Sequence, residues 1–365
     1  MSRAEEIEEL PDIDGDRPPR LTREILGHDA GFADFTQSRA QGRLHHSWLL
    51  SGIKGIGKAS FAYQAARHLL LNTPSNTPVQ QPLSETEPAM RLIDSGAHPD
   101  LFVLARGYNR DTDKFRTDIP VDDVRRMKSF FQLSSADGNW RVCIIDSLDE
   151  MNKYSLNSLL KILEEPPEKS IFFLISHRVG GLLDTIKSRS RQLDFKPLAS
   201  AQLEQIIAHH LPETAPEASA AAAFLADGSA HMALTLAELG GFDLYRDLIS
   251  LLDGLPRPDI EGLHGFSDRF GPRGDAKSFP VFCFLLSNWL HRALRSQIDG
   301  QNIVPVFAGE DEVAARFVSR AGTDALLGLW GKINDGARQA EALNLDRKQI
   351  VLDWFSDMES GYHFL

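Results

Sequence analysis

Gly52-Ile-Lys-Gly-Ile-Gly-Lys-Ala-Ser60 decides how this sequence folds. The stretch follows an apolar run, Trp48-Leu49-Leu50, and opens into a helix-like run, Phe61 to Leu71. Strand, glycine-rich loop and helix in that order form the context of a phosphate-cradling loop. Gly52, Gly55 and Gly57 let backbone N–H groups converge on phosphate oxygens at a helix N-terminus, and Lys58 adds a point charge. One working part is missing. In a working loop the residue after the lysine supplies a hydroxyl that ligates Mg²⁺, whereas here it is Ala59, whose methyl group cannot. Ser60 comes one residue late, and one residue is about 100° of helix rotation, so it is no substitute.

Working outward, the loop-helix is preceded by a helix-like stretch, Gly31 to Gln41, and followed by Asn72 to Glu87, whose Pro, Thr, Ser and Gln read as an irregular surface excursion. Strands are expected at Leu101 to Ala105, Arg141 to Asp146 and Ser170 to Ser176, with a short one at Gln192 to Phe195. The second and third are continuous apolar runs, the pattern of parallel strands buried on both faces. Between them, helices are expected at Val121 to Leu133 and at Asn152 to Glu165, the latter stopped by Pro166-Pro167. Strands alternating with helices predict a doubly wound α/β domain.

From about Ser200 the strand signals stop. Ala201 to Leu211 and Glu217 to Leu239, interrupted at Gly228-Ser229, predict a small helical second domain. Helices at Leu244 to Leu252, Pro280 to Ile298, Glu310 to Gly331 and Ile333 to Ser356, with breaks at Gly254 to Pro258 and Gly265 to Gly274, predict a third, all-helical one. At the other end, seven acidic residues and three prolines within residues 1–20 predict a solvated tail.

A chain of 365 residues has room for these domains, and 42% hydrophobic with 25% charged residues is ordinary for a globular protein. The net charge of −12 argues against a free-standing nucleic-acid binder, since neutralising phosphates dominates such affinity. Cys143 and Cys283 lie in apolar runs and read as buried thiols, which suits a reducing cytosol. The longest apolar run, Phe279 to Leu286, falls far short of the roughly 20 residues a membrane span needs. His45 and His46 have no Cys or carboxylate at metal spacing and read as packing residues.

Two further places carry chemistry. In a phosphate-loop ATPase an acid at the end of a central strand helps hold Mg²⁺, and a neighbouring acid handles the attacking water. Asp146 takes the first place, although taken singly it reads equally well as a helix cap. The next residue is Ser147, with Asp149 and Glu150 later in the turn. The other place is Lys187-Ser188-Arg189-Ser190-Arg191. A basic helix end would account for it, favoured by the helix dipole. The sharper reading is an arginine finger, which stabilises transition-state charge in a neighbouring subunit.

Six stretches then occur in one order: Arg43-Leu-His-His-Ser-Trp-Leu-Leu-Ser-Gly52, the Gly55-Ile-Gly-Lys58 loop, Ala97-His-Pro-Asp100, Ile145-Asp-Ser-Leu-Asp-Glu-Met-Asn152, Asn157-Ser-Leu-Leu-Lys-Ile-Leu-Glu-Glu-Pro-Pro167 and Thr185-Ile-Lys-Ser-Arg-Ser190. Together they resemble the clamp-loader branch of the AAA+ proteins over Leu21 to Phe195. The resemblance implies an AAA+ module at 21–198, a helical lid at 199–242 and a helical collar at 243–365 that joins subunits. It implies as partners the ATP-driven motor subunits, a clamp-opening subunit, the sliding clamp and primer–template DNA. It also implies Arg189 in the finger role, with Ser190 replacing the family's cysteine. The lid arginine that reaches nucleotide in active relatives has His231 as its counterpart. The family's four-cysteine zinc module would follow the loop-helix, and Asn72 to Glu87 contains no cysteine, so no zinc is expected.

Ala59, Ser147 and His231 together point to a non-hydrolysing assembly subunit that requires no cofactor and retains Gly52, Gly55, Gly57, Lys58 and Asp146 as a residual ATP or ADP site. The alternative is an ATP-hydrolysing motor subunit that uses Asp149 or Glu150 in a shifted site.

Overall fold

The computed structural model describes residues 17–109, 114–132, 140–178, 184–272, 274–275, 277–343 and 345–361. Most of the acidic tail (1–16) and Leu133, the expected end of the helix begun at Val121, lie outside them. Two compact units form: one from the chain up to Gln202 together with Ser229–His231, the other from Leu203–Gly228 and Met232–Leu365.

The first unit runs α1 (Asp29–Ala40), β1 (Ser47–Ser51), α2 (Lys58–Leu70), α3 (Pro88–Asp94), β2 (Leu101–Ala105), β3 (Tyr108–Asn109), β4 (Lys114–Phe115), α4 (Val121–Gln132), β5 (Arg141–Asp146), α5 (Lys153–Glu164), β6 (Ser170–Ser176), α6 (Asp184–Lys187) and β7 (Arg191–Asp194). Five strands form one sheet in the order β2-β5-β6-β1-β7, and every pairing is parallel. The register sets Leu49 opposite Leu174 and Leu50 opposite Leu193. The α/β expectation is met, and the apolar runs of β5 and β6 are buried at Val142 to Ile145 and Ile171 to Ile175 because helices cover both faces.

Alternation along the strands sorts the core into two halves. Trp48 and Phe173 meet Phe35 of α1, with ring centres at 5.0 and 5.8 Å, and Phe32 packs on Phe61 at 4.8 Å. Leu49, Cys143, Ile145, Phe172 and Leu174 point to the other half, where Met127 and Phe131 of α4 and Leu159 and Leu163 of α5 close over them. Helix α5 starts where Asn152 accepts from the N–H groups of Tyr154 and Ser155, both at 3.0 Å, and ends before Pro166-Pro167.

Helix α7 (Ser200–His210) carries the chain into the second unit, built from α8 (Pro216–Leu225), α9 (Ala230–Glu238), α10 (Gly241–Asp253), α11 (Ile260–Asp268), α12 (Ser278–Asp299), α13 (Glu310–Ala321), α14 (Thr323–Leu343) and α15 (Arg347–Gly361). Helix α12 buries Phe282, Leu285, Leu286, Trp289, Leu290 and Ala293 against α10, α13 and α14. A polar cluster stands inside this unit. Tyr245 Oη donates to Glu310 Oε1 at 2.5 Å, Arg292 pairs with the same oxygen at 3.0 Å, and the Val306 N–H donates to the other at 2.5 Å. Glu310 is fully buried, and these donors satisfy both of its oxygens. Among the described residues, no helix is long and apolar enough to cross a membrane.

Several helix limits differ from expectation. The stretch Gly265 to Gly274 reads as a break, yet α11 runs through Gly262 and Gly265 because Leu263 and Phe266 bury and Asp259 caps the start. The helix expected over Glu310 to Gly331 stops at Ala321, where Gly322 takes φ +69°, and α14 continues through Gly328 and Gly331. The helix expected over Ile333 to Ser356 restarts at Arg347, where the Asp346 carboxylate accepts from the Lys348 and Gln349 N–H groups at 3.0 and 3.3 Å. Helix α3 and the β3–β4 hairpin were not expected; two-residue strands leave no periodic signal.

Candidate functional site

The strand order places the ends of β5, β6 and β1 side by side, so the residues that follow them gather at the carboxyl edge of the sheet. These are Asp146, Ser176-His177 and the loop Gly52 to Gly57. Lys58 lies at their centre. Its ammonium donates to the carbonyls of Gly52 and Ile53 at 2.7 and 2.5 Å, and the residue is 3% exposed. Burial pushes this ammonium down to about 8, opposed by the carboxylates of Asp146 and Asp149.

Gly52, Gly55 and Gly57 adopt φ of +147°, +76° and +105°. At Gly55 the missing side chain does two jobs. A Cβ there would be strained at this φ, and it would lie 2.5 Å from Ser229 Oγ and 2.7 Å from His231 Cβ. The segment Ser229–His231 presses on the loop: Ser229 Oγ donates to the Lys54 carbonyl, and His231 N–H donates to that of Gly55, both at 3.0 Å. The structure thus brings His231 to the loop through its backbone. His28 holds the loop from another side, with Nε2 2.9 Å from the Ile56 carbonyl and its ring 4.6 Å from that of Phe195.

Ser60 Oγ reaches Thr22 Oγ1 at 3.4 Å. Ala59 presents a methyl group after the lysine, so the residues present do not complete the hydroxyl-dependent magnesium site of this loop type. Ser147 is 1% exposed, and among the described residues its Oγ has no hydrogen-bond partner. Asp149 is committed elsewhere: Oδ1 accepts from Ser176 Oγ at 3.1 Å and Oδ2 from the His177 N–H at 2.5 Å. Glu150 lies 3.7 Å from Arg106 Nε.

His177 escaped the sequence reading. Burial and the charge of Lys58 push its imidazole down to about 4, so at neutral pH an uncharged ring stands beside the lysine. The available signal was positional, a Ser-His pair directly after a fully buried strand that neighbours the loop strand.

Arg189 stands at the opposite edge of the sheet, just before β7, which runs parallel to β1. Ser190 Oγ and Ser47 Oγ, at the start of β1, are 2.8 Å apart. The five residues of β1 therefore separate this tether from the glycine loop by about 13 Å of strand rise. The Arg189 guanidinium pairs with Glu164 Oε1 at 2.9 Å and donates to the Thr185 carbonyl at 3.0 Å. Its neighbour Arg191 forms an ion pair with Asp34 and lies over the Trp48 ring at 5.2 Å. The sites read from sequence are thus two, at opposite ends of one sheet.

The excursion after α2 is pinned to this unit. Val79 is fully buried and its N–H donates to Thr36 Oγ1 at 3.2 Å, while Arg39 bonds the His68 carbonyl and Thr73. His68 lies between Thr73 Oγ1 at 3.0 Å and the Gln81 carbonyl at 3.3 Å, and burial and Arg39 push it down to about 4. Among the described residues no group of three or more His, Cys, Asp or Glu could hold a metal ion.

The first unit is similar in sequence to known proteins. Residues 27–199 match the family model for the DNA polymerase III delta subunit. The delta-prime subunit of DNA polymerase III from Pseudomonas aeruginosa is 33% identical over 213 residues, 58% of this chain and 61% of the relative. The tau subunit from Escherichia coli is 30% identical over 224 residues, 60% of this chain and 33% of the relative. The chain thus spans less than two thirds of the length of these relatives. Among solved structures, a gamma subunit-related protein of Thermotoga maritima aligns over 92% of this chain and all of its own, with 16% identity and a TM-score of 0.41. Through its parallel-sheet module, residues 27–199, this chain is therefore similar to the delta, delta-prime and tau subunits of DNA polymerase III.

Proposed function

We propose that this chain is a delta-prime-type assembly subunit of the clamp loader: it does not hydrolyse ATP itself, helps place the sliding clamp on primed DNA, and presents Arg189 to a neighbouring motor subunit. The observation that carries the reading is the contrast between the sheet's two ends. At one, Lys58 is buried on its own loop's carbonyls beside Ala59, Ser147 is sealed in, and Asp149 is bound to Ser176 and His177. At the other, Arg189 keeps its guanidinium about one third exposed, and a full strand length separates it from the loop of its own chain. An arginine so placed serves a phosphate supplied by another subunit.

On this reading the glycine loop with Lys58 and Asp146 is a residual ATP or ADP site. The lid (199–242) and collar (243–365) join the chain to tau or gamma motor subunits and to delta in the cytoplasm. Clamp and primer–template contacts are made through the assembly, as suits a chain of net charge −12.

The similarity to tau at 30% favours a second reading, an ATP-hydrolysing motor. That reading needs a free carboxylate near Lys58, and the two hydrogen bonds on Asp149 weigh against it. Turnover of MgATP by the purified chain separates the two. The proposal expects none above background. Steady hydrolysis that disappears in Lys58→Ala would establish the motor reading instead.

A further inference from the structure

We propose that Glu164 is a positioning residue for Arg189: it holds the guanidinium in a resting place on its own domain, and docking of a nucleotide-bearing neighbour exchanges this carboxylate for phosphate. The inference rests on the reading that Arg189 acts in trans.

The geometry provides both a fixed base and a movable arm. The base is fixed because Ile186 is buried, Ser190 is bonded to Ser47, and the Arg189 N–H donates to the Ile186 carbonyl at 3.1 Å. The arm is a side chain 34% exposed, paired at 2.9 Å with a carboxylate that is itself 51% exposed. Glu164 is the last residue of α5, where a negative charge opposes the helix dipole. Its charge does not serve the helix; it pairs instead with Arg189. The end of α5 is secured instead by His46, whose Nε2 lies 3.2 Å from the Leu163 carbonyl. A pair this exposed is weak enough to break in favour of phosphate, whose greater charge and several acceptor oxygens suit the same planar fork.

The test measures docking of the full chain onto a DNA polymerase III motor subunit loaded with ADP and aluminium fluoride, a mimic of the transferring phosphoryl group. Glu164→Gln keeps the side-chain shape and removes the charge, and the proposal expects it to bind about 2–5-fold tighter at low salt. The gain should vanish near 0.5 M salt, roughly where screening reaches contact distance. Glu165→Gln removes the same charge one residue along and should leave affinity unchanged, and Arg189→Ala should abolish the gain from Glu164→Gln. If Arg189→Ala weakens docking but Glu164→Gln does not strengthen it, or Glu165→Gln strengthens it equally, the resting-place inference is overturned while the trans role stands. If Arg189→Ala does not weaken docking, the trans role itself falls.

Discussion

Lys58 and Arg189 are cations at opposite ends of one parallel sheet, and they differ in what holds them. Lys58 is 3% exposed and is held by two carbonyls of its own loop. Arg189 is one third exposed and is held by an exposed carboxylate of the adjacent helix together with the Thr185 carbonyl. An interior cation tied to backbone carbonyls stabilises the loop that carries it, whereas a surface guanidinium on an exposed carboxylate can exchange that partner for another anion. Under the proposed function, the module keeps the phosphate loop as architecture and carries its working charge at the other end of the sheet.

If the loop is architecture, damage to it should register as lost stability. Gly55→Ala combines a strained positive φ with contact against Ser229 and His231, and it should destabilise the first unit by about 2–4 kcal/mol in denaturant unfolding. Gly42→Ala has a similar φ of +64° with open space around it and should cost only about 1 kcal/mol. Equal effects would mean that Ser229 and His231 do not brace the loop.

The next effect is in pH. His68 and His177 are pushed down to about 4 from an ordinary value of 6.5, so between those limits the unfolded chain binds more protons than the folded one. Their contribution to stability is complete above pH 6.5 and is lost as pH falls towards 4. Discounting for partial solvent access, the pair should account for about 2 kcal/mol of acid sensitivity, and a chain carrying His68→Gln and His177→Gln should show a correspondingly flatter melting profile over that window. An identical slope in the double variant would contradict the neutral rings.

The smallest effect belongs to the other end of the sheet. Ser190→Ala removes the bond to Ser47 and should cost about 1 kcal/mol, while Arg189→Ala should change stability by less than about 0.5 kcal/mol, because its ion pair is exposed. A larger loss from Arg189→Ala than from Ser190→Ala would make the arginine structural and erase the contrast.

Much of this was legible in the sequence. A strand buried on both faces leaves an unbroken apolar run, and Val142 to Ile145 and Ile171 to Ile175 mark the centre of the sheet in this way. The glycine loop was legible through its fixed spacing, and the motif around Arg189 singled that residue out as a candidate. What stayed hidden depends on contacts across the fold. Asp149 reaches Ser176 and His177 across 27 and 28 residues, and Ser229 reaches Lys54 across 175, with no periodicity to announce them. The pinning of the excursion by Arg39, Thr36 and His68 is equally invisible, since polar loop composition does not reveal a single buried valine. Helix limits failed where glycine misled: Gly265 and Gly331 lie inside helices, while Gly322 ends one.

The most direct measurement is ATP turnover by a clamp loader reconstituted with this chain carrying either Lys58→Ala or Arg189→Ala. The account predicts that Lys58→Ala leaves turnover at the wild-type rate and that Arg189→Ala lowers hydrolysis at the neighbouring site by about a thousandfold, the scale of a lost arginine finger. Loss of turnover with Lys58→Ala and full turnover with Arg189→Ala would contradict it.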